Sequence, residues 1–320
     1  MSRPTIPSTR RTAGPPPASA PSPQPEPAPG PRRASARAGM QGGADPLDAD
    51  AFLAALSPGV AQVLDRLDVF ASLDSTNRYL LDTPPPAPGK LHVAVADHQH
   101  AGRGRRGRRW TAPPGAALCL SVAMDLGRAP RELLALPLAA GVAARRAIRQ
   151  VCGVDAGLKW PNDLVWRERK LGGILVEQAD GPAGRGPIVI GIGINVAVPP
   201  DLLAELSDWP AGAVDLAAAV GGRPPARAAL AAALAGELAA LAAAFERDGF
   251  AAYRAEFAAA DVLPGRAVRI VDDAGTTDGI ARGVDEHGAL IVETEGGRRR
   301  VLAGDVSVRA AGEPGPEELE

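Results

Sequence analysis

Apolar residues recur at helical spacings through Phe52, Leu53, Leu56, Val60, Val63, Leu64 and Leu67, and this stripe predicts one or two helices at the start of the globular region. Asp74-Ser75-Thr76-Asn77 follows as a helix start, with Asp74 or Ser75 able to cap the first free N–H groups. A proline loop over residues 84–88 separates that helix from an extended run at 91–96. Beyond it the pattern predicts strands at 117–124, 158–160, 163–166, 172–178 and 188–196, with helices near 131–151 and 227–245. Arg167-Glu168-Arg169 and Gly181-Pro182-Ala183-Gly184 each separate a pair of apolar strands by a short polar turn, so neighbouring strands should run antiparallel. The class expected is α+β, with a mixed, largely antiparallel sheet and helices.

After Asp261 the texture changes to five short β-rich pieces, 267–271, 278–284, 290–293, 298–302 and 305–309, which read as a small barrel. A boundary falls close to Val262-Leu263-Pro264-Gly265. At the other end, residues 1–44 hold eleven prolines and six arginines against a single acid, Glu26, and no apolar periodicity. Such a stretch cannot bury enough surface to fold. The run from Pro21 to Pro27 also forbids the amphipathic helix of an organelle transit signal. The organisation expected is a disordered tail (1–44), a large domain (45–261), a small one (262–310) and a loose acidic end (311–320).

Composition narrows the choices. A chain of 320 residues supports one large core and a small module. No uninterrupted apolar run approaches the ~20 residues of a membrane span, so no membrane partner is expected. A net charge of −2 argues against a coat for nucleic acid. Cys119 and Cys152 lack metal-ligand spacing and read as packing thiols in a reducing cytoplasm. The four histidines, His92, His98, His100 and His287, show no metal spacing either, and neither a G-x-S-x-G elbow nor a P-loop lysine occurs. No protein nucleophile is evident.

The densest chemistry lies in Gln99-His100-Ala101-Gly102-Arg103-Gly104-Arg105-Arg106-Gly107-Arg108-Arg109-Trp110, with five arginines in seven positions. Their mutual repulsion is offset if the loop closes on an anion, because glycines let N–H groups approach phosphate while guanidinium forks bind its oxygens. Gly102, Gly104 and Gly107 also satisfy G-x-G-x-x-G, but a dinucleotide site needs a helix to start there, and the chain runs instead into Thr111-Ala112-Pro113-Pro114-Gly115. A basic loop on RNA or DNA is the plain alternative.

Three more segments carry candidate chemistry. Lys159-Trp160-Pro161-Asn162-Asp163 sets a lysine at a strand end between apolar neighbours, where a buried cation requires an anionic partner. Lys170-Leu171-Gly172-Gly173-Ile174-Leu175-Val176-Glu177 opens a strand with two glycines, which suit either close approach of a ligand or a plain hairpin turn. In Ile188-Val189-Ile190-Gly191-Ile192-Gly193-Ile194-Asn195-Val196 glycines alternate on one face, leaving room for a flat ligand, and the Asn195 amide can bind phosphate or a hydrated metal.

Taken in order and at these spacings, Ser75-Thr76-Asn77, the arginine-glycine loop, the Lys159 and Lys170 segments and Gly191-Ile192-Gly193-Ile194-Asn195 closely resemble the biotin protein ligases. The resemblance is strong from about residue 70 to 197 and weaker over the C-terminal barrel. It implies a class II synthetase-like catalytic domain and a small SH3-like C-terminal barrel. It further implies that Ser75, Thr76, Asn77 and Gln99 face biotin, together with Arg103, Gly104, Arg105 and Lys159. Arg103, Arg105, Arg108, Trp110, Lys159 and Asn195 would serve ATP, with Trp110 against adenine. Lys159, Arg105 and Arg103 would be the catalytic charges, and magnesium would accompany the ATP phosphates, near Asn195, with no side-chain cluster of its own. The expected substrates are biotin and ATP, and the expected partner is a biotin carboxyl carrier domain of an acyl-CoA carboxylase. Too few structured residues precede Ser75 for the winged-helix domain of the family's repressors, so no DNA is expected.

Overall fold

The computed structural model describes residues 47–128, 130–181, 186–205, 211–272, 275–302 and 304–308. The tail expected over 1–44, the turn over 182–184 and the acidic end over 311–320 lie outside the described residues.

A seven-stranded sheet forms the centre of the larger part, in the order β1-β2-β3-β7-β6-β5-β4. Its strands are β1 (Leu64–Phe70), β2 (Leu91–Ala96), β3 (Ala117–Met124), β4 (Gly157–Lys159), β5 (Asp163–Trp166), β6 (Arg169–Gln178) and β7 (Ile188–Asn195). All neighbours run antiparallel except β1 and β2, which pair parallel. The opening stripe of apolar residues is not all helical. It gives α1 (Ala49–Ala55) and α2 (Pro58–Val63), after which Leu64 and Leu67 belong to β1. Spacings of three and four mimic a helix there, but the ladder to Leu91 through Ala96 decides the conformation.

Alternation along the middle strands divides the two faces. Leu118, Leu120, Val122 and Met124 of β3, with Ile188, Ile190, Ile192 and Ile194 of β7, join one core cluster. Two helices cover that face, α4 (Leu136–Cys152) and α7 (Arg227–Asp248). Helix α4 starts later than its pattern suggests, with a 3₁₀ stretch at Pro130–Ala135 leading to Pro137 in its first turn. By length and composition the 22-residue α7 could cross a membrane. Its Leu230, Leu234, Leu238, Leu241 and Phe245 are instead buried in the core, and Glu237 lies 3.6 Å from Arg146. Three further helices went unanticipated: α5 (Pro200–Glu205), α6 (Leu216–Val220) and α8 (Ala251–Ala260), the last packed on α4 by Tyr253 and Phe257. The opposite face of the sheet receives the short α3 (Thr76–Leu81), through Leu80 against Ala94, Ala123 and Val189.

The five expected C-terminal strands are present as β8 (Ala267–Asp272), β9 (Gly275–Val284), β10 (Leu290–Thr294), β11 (Gly297–Val301) and β12 (Asp305–Val308). They form an antiparallel sheet in the order β11-β10-β9-β8-β12. Trp160, buried beside β4, ties this unit to the larger sheet by donating its indole N–H to Gly288 O at 3.0 Å.

Candidate active site

A cleft of about 830 Å³ opens on the face of the sheet away from α4 and α7. Ser75, Thr76, Asn77, Gln99, Arg103, Gly104, Arg105, Arg108, Trp110, Lys159 and Asn195 all line it, so every site residue expected from the sequence is brought together.

At one end of the cleft the first turn of α3 supplies the polar groups. The Ser75 hydroxyl caps the helix by accepting from Arg78 N, which turns the buried Thr76 and Asn77 side chains toward β3. There the fully buried Ser121 Oγ lies 2.6 Å from both Thr76 Oγ1 and Asn77 Oδ1. Asn77 Oδ1 can only accept, so the single Ser121 proton points to it. The Asn77 Nδ2 group in turn donates to Leu175 O at 3.2 Å and Glu177 Oε2 at 2.8 Å, two partners that fix which way the amide faces. Gln99 Oε1 accepts from Thr76 N at 2.7 Å and lies 3.0 Å from its hydroxyl. Ser121 is a cleft residue that sequence reasoning missed, because one hydroxyl inside an apolar strand gives no signal until its neighbours are known.

The arginine-glycine loop is a small hairpin. Gly104 N donates to Arg108 O at 2.8 Å and Trp110 N to Gly102 O at 3.0 Å, with a 3₁₀ turn over Arg105–Gly107 at the tip. No α-helix starts within it, which removes the dinucleotide reading. Gly102 is required, since a Cβ there would overlap the Trp110 carbonyl oxygen. Protein carboxylates already offset part of the repulsion among these arginines. Arg103 contacts Glu177 at 2.9 Å, and Arg108 and Arg106 approach Asp305 at 2.7 and 3.8 Å. Arg105 reaches Gly304 O at 3.3 Å and Asn162 Oδ1 at 3.5 Å. Burial lowers the Arg105 pKa below the usual guanidinium value, with Asp305 opposing the shift. The loop thus rests on β12 of the small sheet, a contact between residues 197 positions apart that no local pattern reveals.

The room beside β7 is also filled differently from the expectation. A Cβ on Gly191 would overlap the Asn77 amide, and one on Gly193 would come within 2.6 Å of the Trp110 ring. These glycines therefore seat two side chains of the protein, which in turn shape the cleft. Asn195 is buried and donates Nδ2 to Val214 O at 3.1 Å. Its Oδ1 and its second Nδ2 proton make no described hydrogen bond, so the amide can accept from a water or meet a cation and can also donate to a phosphate oxygen.

Lys159 closes β4 as a buried cation at the cleft wall, 7% exposed. Beside it Lys170 pairs with Asp163 at 3.0 Å. Lys170, Asn162 and Asp163 stand in segments singled out from the sequence, yet none had been given a role there. Cys119 also faces the cleft, but burial pushes its thiol up to about 12, so it stays neutral and unreactive. Among the described residues no group of three or more His, Cys, Asp or Glu side chains is arranged to hold a metal ion.

Comparison with known proteins places this geometry. Residues 69–195 match the Biotin/lipoate A/B protein ligase family, and residues 265–309 match the Biotin protein ligase C terminal domain. The bifunctional ligase/repressor BirA of Escherichia coli is 37% identical over 258 residues, covering 78% of each chain. The biotin–[acetyl-CoA-carboxylase] ligase of Paracoccus denitrificans is 33% identical, over 74% of this chain and 98% of the relative. Among solved structures, the biotin protein ligase from Aquifex aeolicus in complex with biotin and ATP superposes with a TM-score of 0.65 at 27% identity, covering 77% of this chain and 99% of that one. The chain belongs to the biotin protein ligase family and is a ligase.

Proposed function

We propose that this chain converts biotin and ATP to biotinyl-5'-AMP and pyrophosphate, then passes the biotinyl group to a lysine of a biotin carboxyl carrier domain. The observation that carries the reading is the meeting in one cleft of the Ser75, Thr76, Asn77 and Gln99 polar groups with Arg103, Arg105, Arg108 and Lys159. A hydroxyl and amide cluster suits the ureido end of biotin, and the cations suit its carboxylate and the ATP phosphates.

In the first step a biotin carboxylate oxygen attacks the α-phosphorus, the bond to the β-phosphate oxygen breaks, and pyrophosphate leaves. Two anions must approach each other, so positioning and positive charge carry the catalysis. Lys159, Arg103 and Arg105 supply that charge, and Trp110 lies against adenine. Magnesium would accompany ATP as its counter-ion, and the Asn195 Oδ1 would offer it a neutral oxygen ligand. In the second step the carrier lysine amine attacks the acyl carbon of the mixed anhydride, and AMP leaves. No covalent acyl-enzyme forms, in keeping with the neutral Cys119.

Names of relatives in Paracoccus denitrificans and Mycobacterium tuberculosis, both biotin–[acetyl-CoA-carboxylase] ligases, support a carrier belonging to an acyl-CoA carboxylase. We further propose the ligase activity alone, as in the names of the Paracoccus denitrificans and Mycobacterium tuberculosis relatives, without the repressor role named for the E. coli relative. A reducing cytoplasm, where Cys119 and Cys152 stay thiols, is the compartment proposed. Exchange of pyrophosphate into ATP, measured with biotin, lipoate and octanoate separately, tests the reading. Exchange should require biotin; equal exchange with lipoate, or none with biotin, overturns it.

A further inference from the structure

One carboxylate behind the cleft wall is joined to both ends of the site. Glu177, on β6, is not among the residues that line the cleft. Its Oε2 accepts from Asn77 Nδ2 at 2.8 Å and from Arg103 at 2.9 Å, and its Oε1 lies 2.9 Å from the same Arg103 nitrogen. The Asn77 amide also meets Ser121 and Leu175 O and packs on the bare backbone of Gly191. A continuous polar path therefore runs from Ser121 through Asn77 and Glu177 to the first arginine of the loop. Gln99 gives a second path, from Thr76 to the root of the loop, whereas Glu177 carries the connection on to a guanidinium.

We propose that Glu177 is a positioning residue that couples occupation of the biotin end of the cleft to the order of the arginine loop. The proposal rests on the reading that biotin sits against Asn77 and an anion against Arg103. Glu177 engages Arg103 through a single nitrogen, and the other guanidinium nitrogens make no described hydrogen bond, so the group is fixed at one corner while its remaining donors stay available. The carboxylate also offsets one of the five clustered charges without standing in the cleft, where it would repel the substrate's own carboxylate. A ligand that stiffens Asn77 holds Glu177 in place, and Glu177 holds Arg103. The two sites then share a coupling free energy.

The test reads loop order directly, apart from turnover. A protease cutting after Arg103, Arg105, Arg106, Arg108 or Arg109 is applied to the full chain with and without biotin, once titration has established biotin binding. Biotin alone should slow cleavage of the wild-type loop by about tenfold, within the usual range of such couplings. In Glu177→Gln, one acceptor remains for Asn77 but the ionic hold on Arg103 is gone. Its biotin affinity should stay within about threefold and its melting temperature should not change, while protection falls to about twofold or less and the KM for ATP rises. Glu177→Asp should fall between the two, because a carboxylate one methylene shorter cannot reach Asn77 and Arg103 together without stretching both contacts. Protection of Glu177→Gln equal to that of the wild type overturns the proposal. If that variant does not fold, Glu177→Asp decides: reduced protection at wild-type biotin affinity supports the coupling, and full protection overturns it. Failure of the wild-type protein to bind biotin at all overturns the reading of the cleft, and the coupling with it.

Discussion

The two faces of β3 and β7 are made by alternate residues of the same strands, yet they do opposite work. On one side leucines and isoleucines interlock with α4 and α7 in a dry core. On the other, Cys119, Ser121, Gly191, Gly193 and Asn195 leave space and donors at the floor of the cleft. Stability and function are therefore separated by a single residue step along a strand, about 3.4 Å. Changes on the first face should alter folding and leave ligand binding alone, and changes on the second should do the reverse.

The sharpest contrast comes from Leu118→Ala on the helix face. The site is fully buried among core residues, so the loss of methyl contacts and the cavity left behind should destabilise the protein by about 4 kcal/mol. Biotin affinity, measured below the lowered melting point, should match the wild type.

Lys159→Ala makes the reverse case on the cleft side. The proposed charge acts as carboxylate and α-phosphate approach, so adenylation should slow by about 3 kcal/mol, roughly a hundredfold or more, with biotin affinity nearly unchanged. Lys159→Arg should recover only a fraction of the rate, because a planar fork cannot place its charge where a compact ammonium sits. Rapid-quench kinetics beside thermal melting read both quantities.

Asp261 breaks the rule that the helix side is apolar. It ends α8 beside β4, with Oδ1 accepting from Leu263 N at 3.0 Å and Oδ2 buried without a partner among the described residues. Burial pushes its carboxyl up from 3.8 to about 6. A raised acid favours the folded state only while protonated, so its contribution is full below pH ~4 and lost as pH rises through ~6. Asp261→Asn should therefore stabilise the protein at pH 7 by about 2 kcal/mol, and the gain should vanish below pH ~4. Melting curves across that interval decide the matter.

The smallest effect expected is that of Gly193→Ala. Its new methyl displaces the Trp110 ring, which sits on a loop able to shift, so stability should hardly change. The KM for ATP should rise by roughly tenfold, about 1.4 kcal/mol.

Much of this division was legible in the sequence, and the remainder was hidden for physical reasons. The alternating glycines of 188–196 announced an open face, but the occupants of that space, Asn77 and Trp110, come from distant segments and only the fold brings them there. Leu64 and Leu67 looked helical because a strand with three-residue apolar spacing cannot be told from a helix without its partner, here β2. Helix α8 was overlooked since alanines surround its two anchors, Tyr253 and Phe257, and blur the amphipathic stripe. The clustered arginines were visible at once, whereas the carboxylates that meet them, Glu177 and Asp305, reach them only through tertiary contact.

If the polar face of this sheet joins biotin to AMP, the adenylate itself must form on the enzyme. Mixing excess enzyme with biotin and ATP labelled at the α-phosphate, then quenching and separating the products, looks for it without any carrier present. Labelled biotinyl-AMP should appear with an equal amount of pyrophosphate, only when both substrates are present, and far more slowly with Lys159→Ala. Absence of the adenylate, or its formation at the wild-type rate by that variant, would contradict the role given to this cleft.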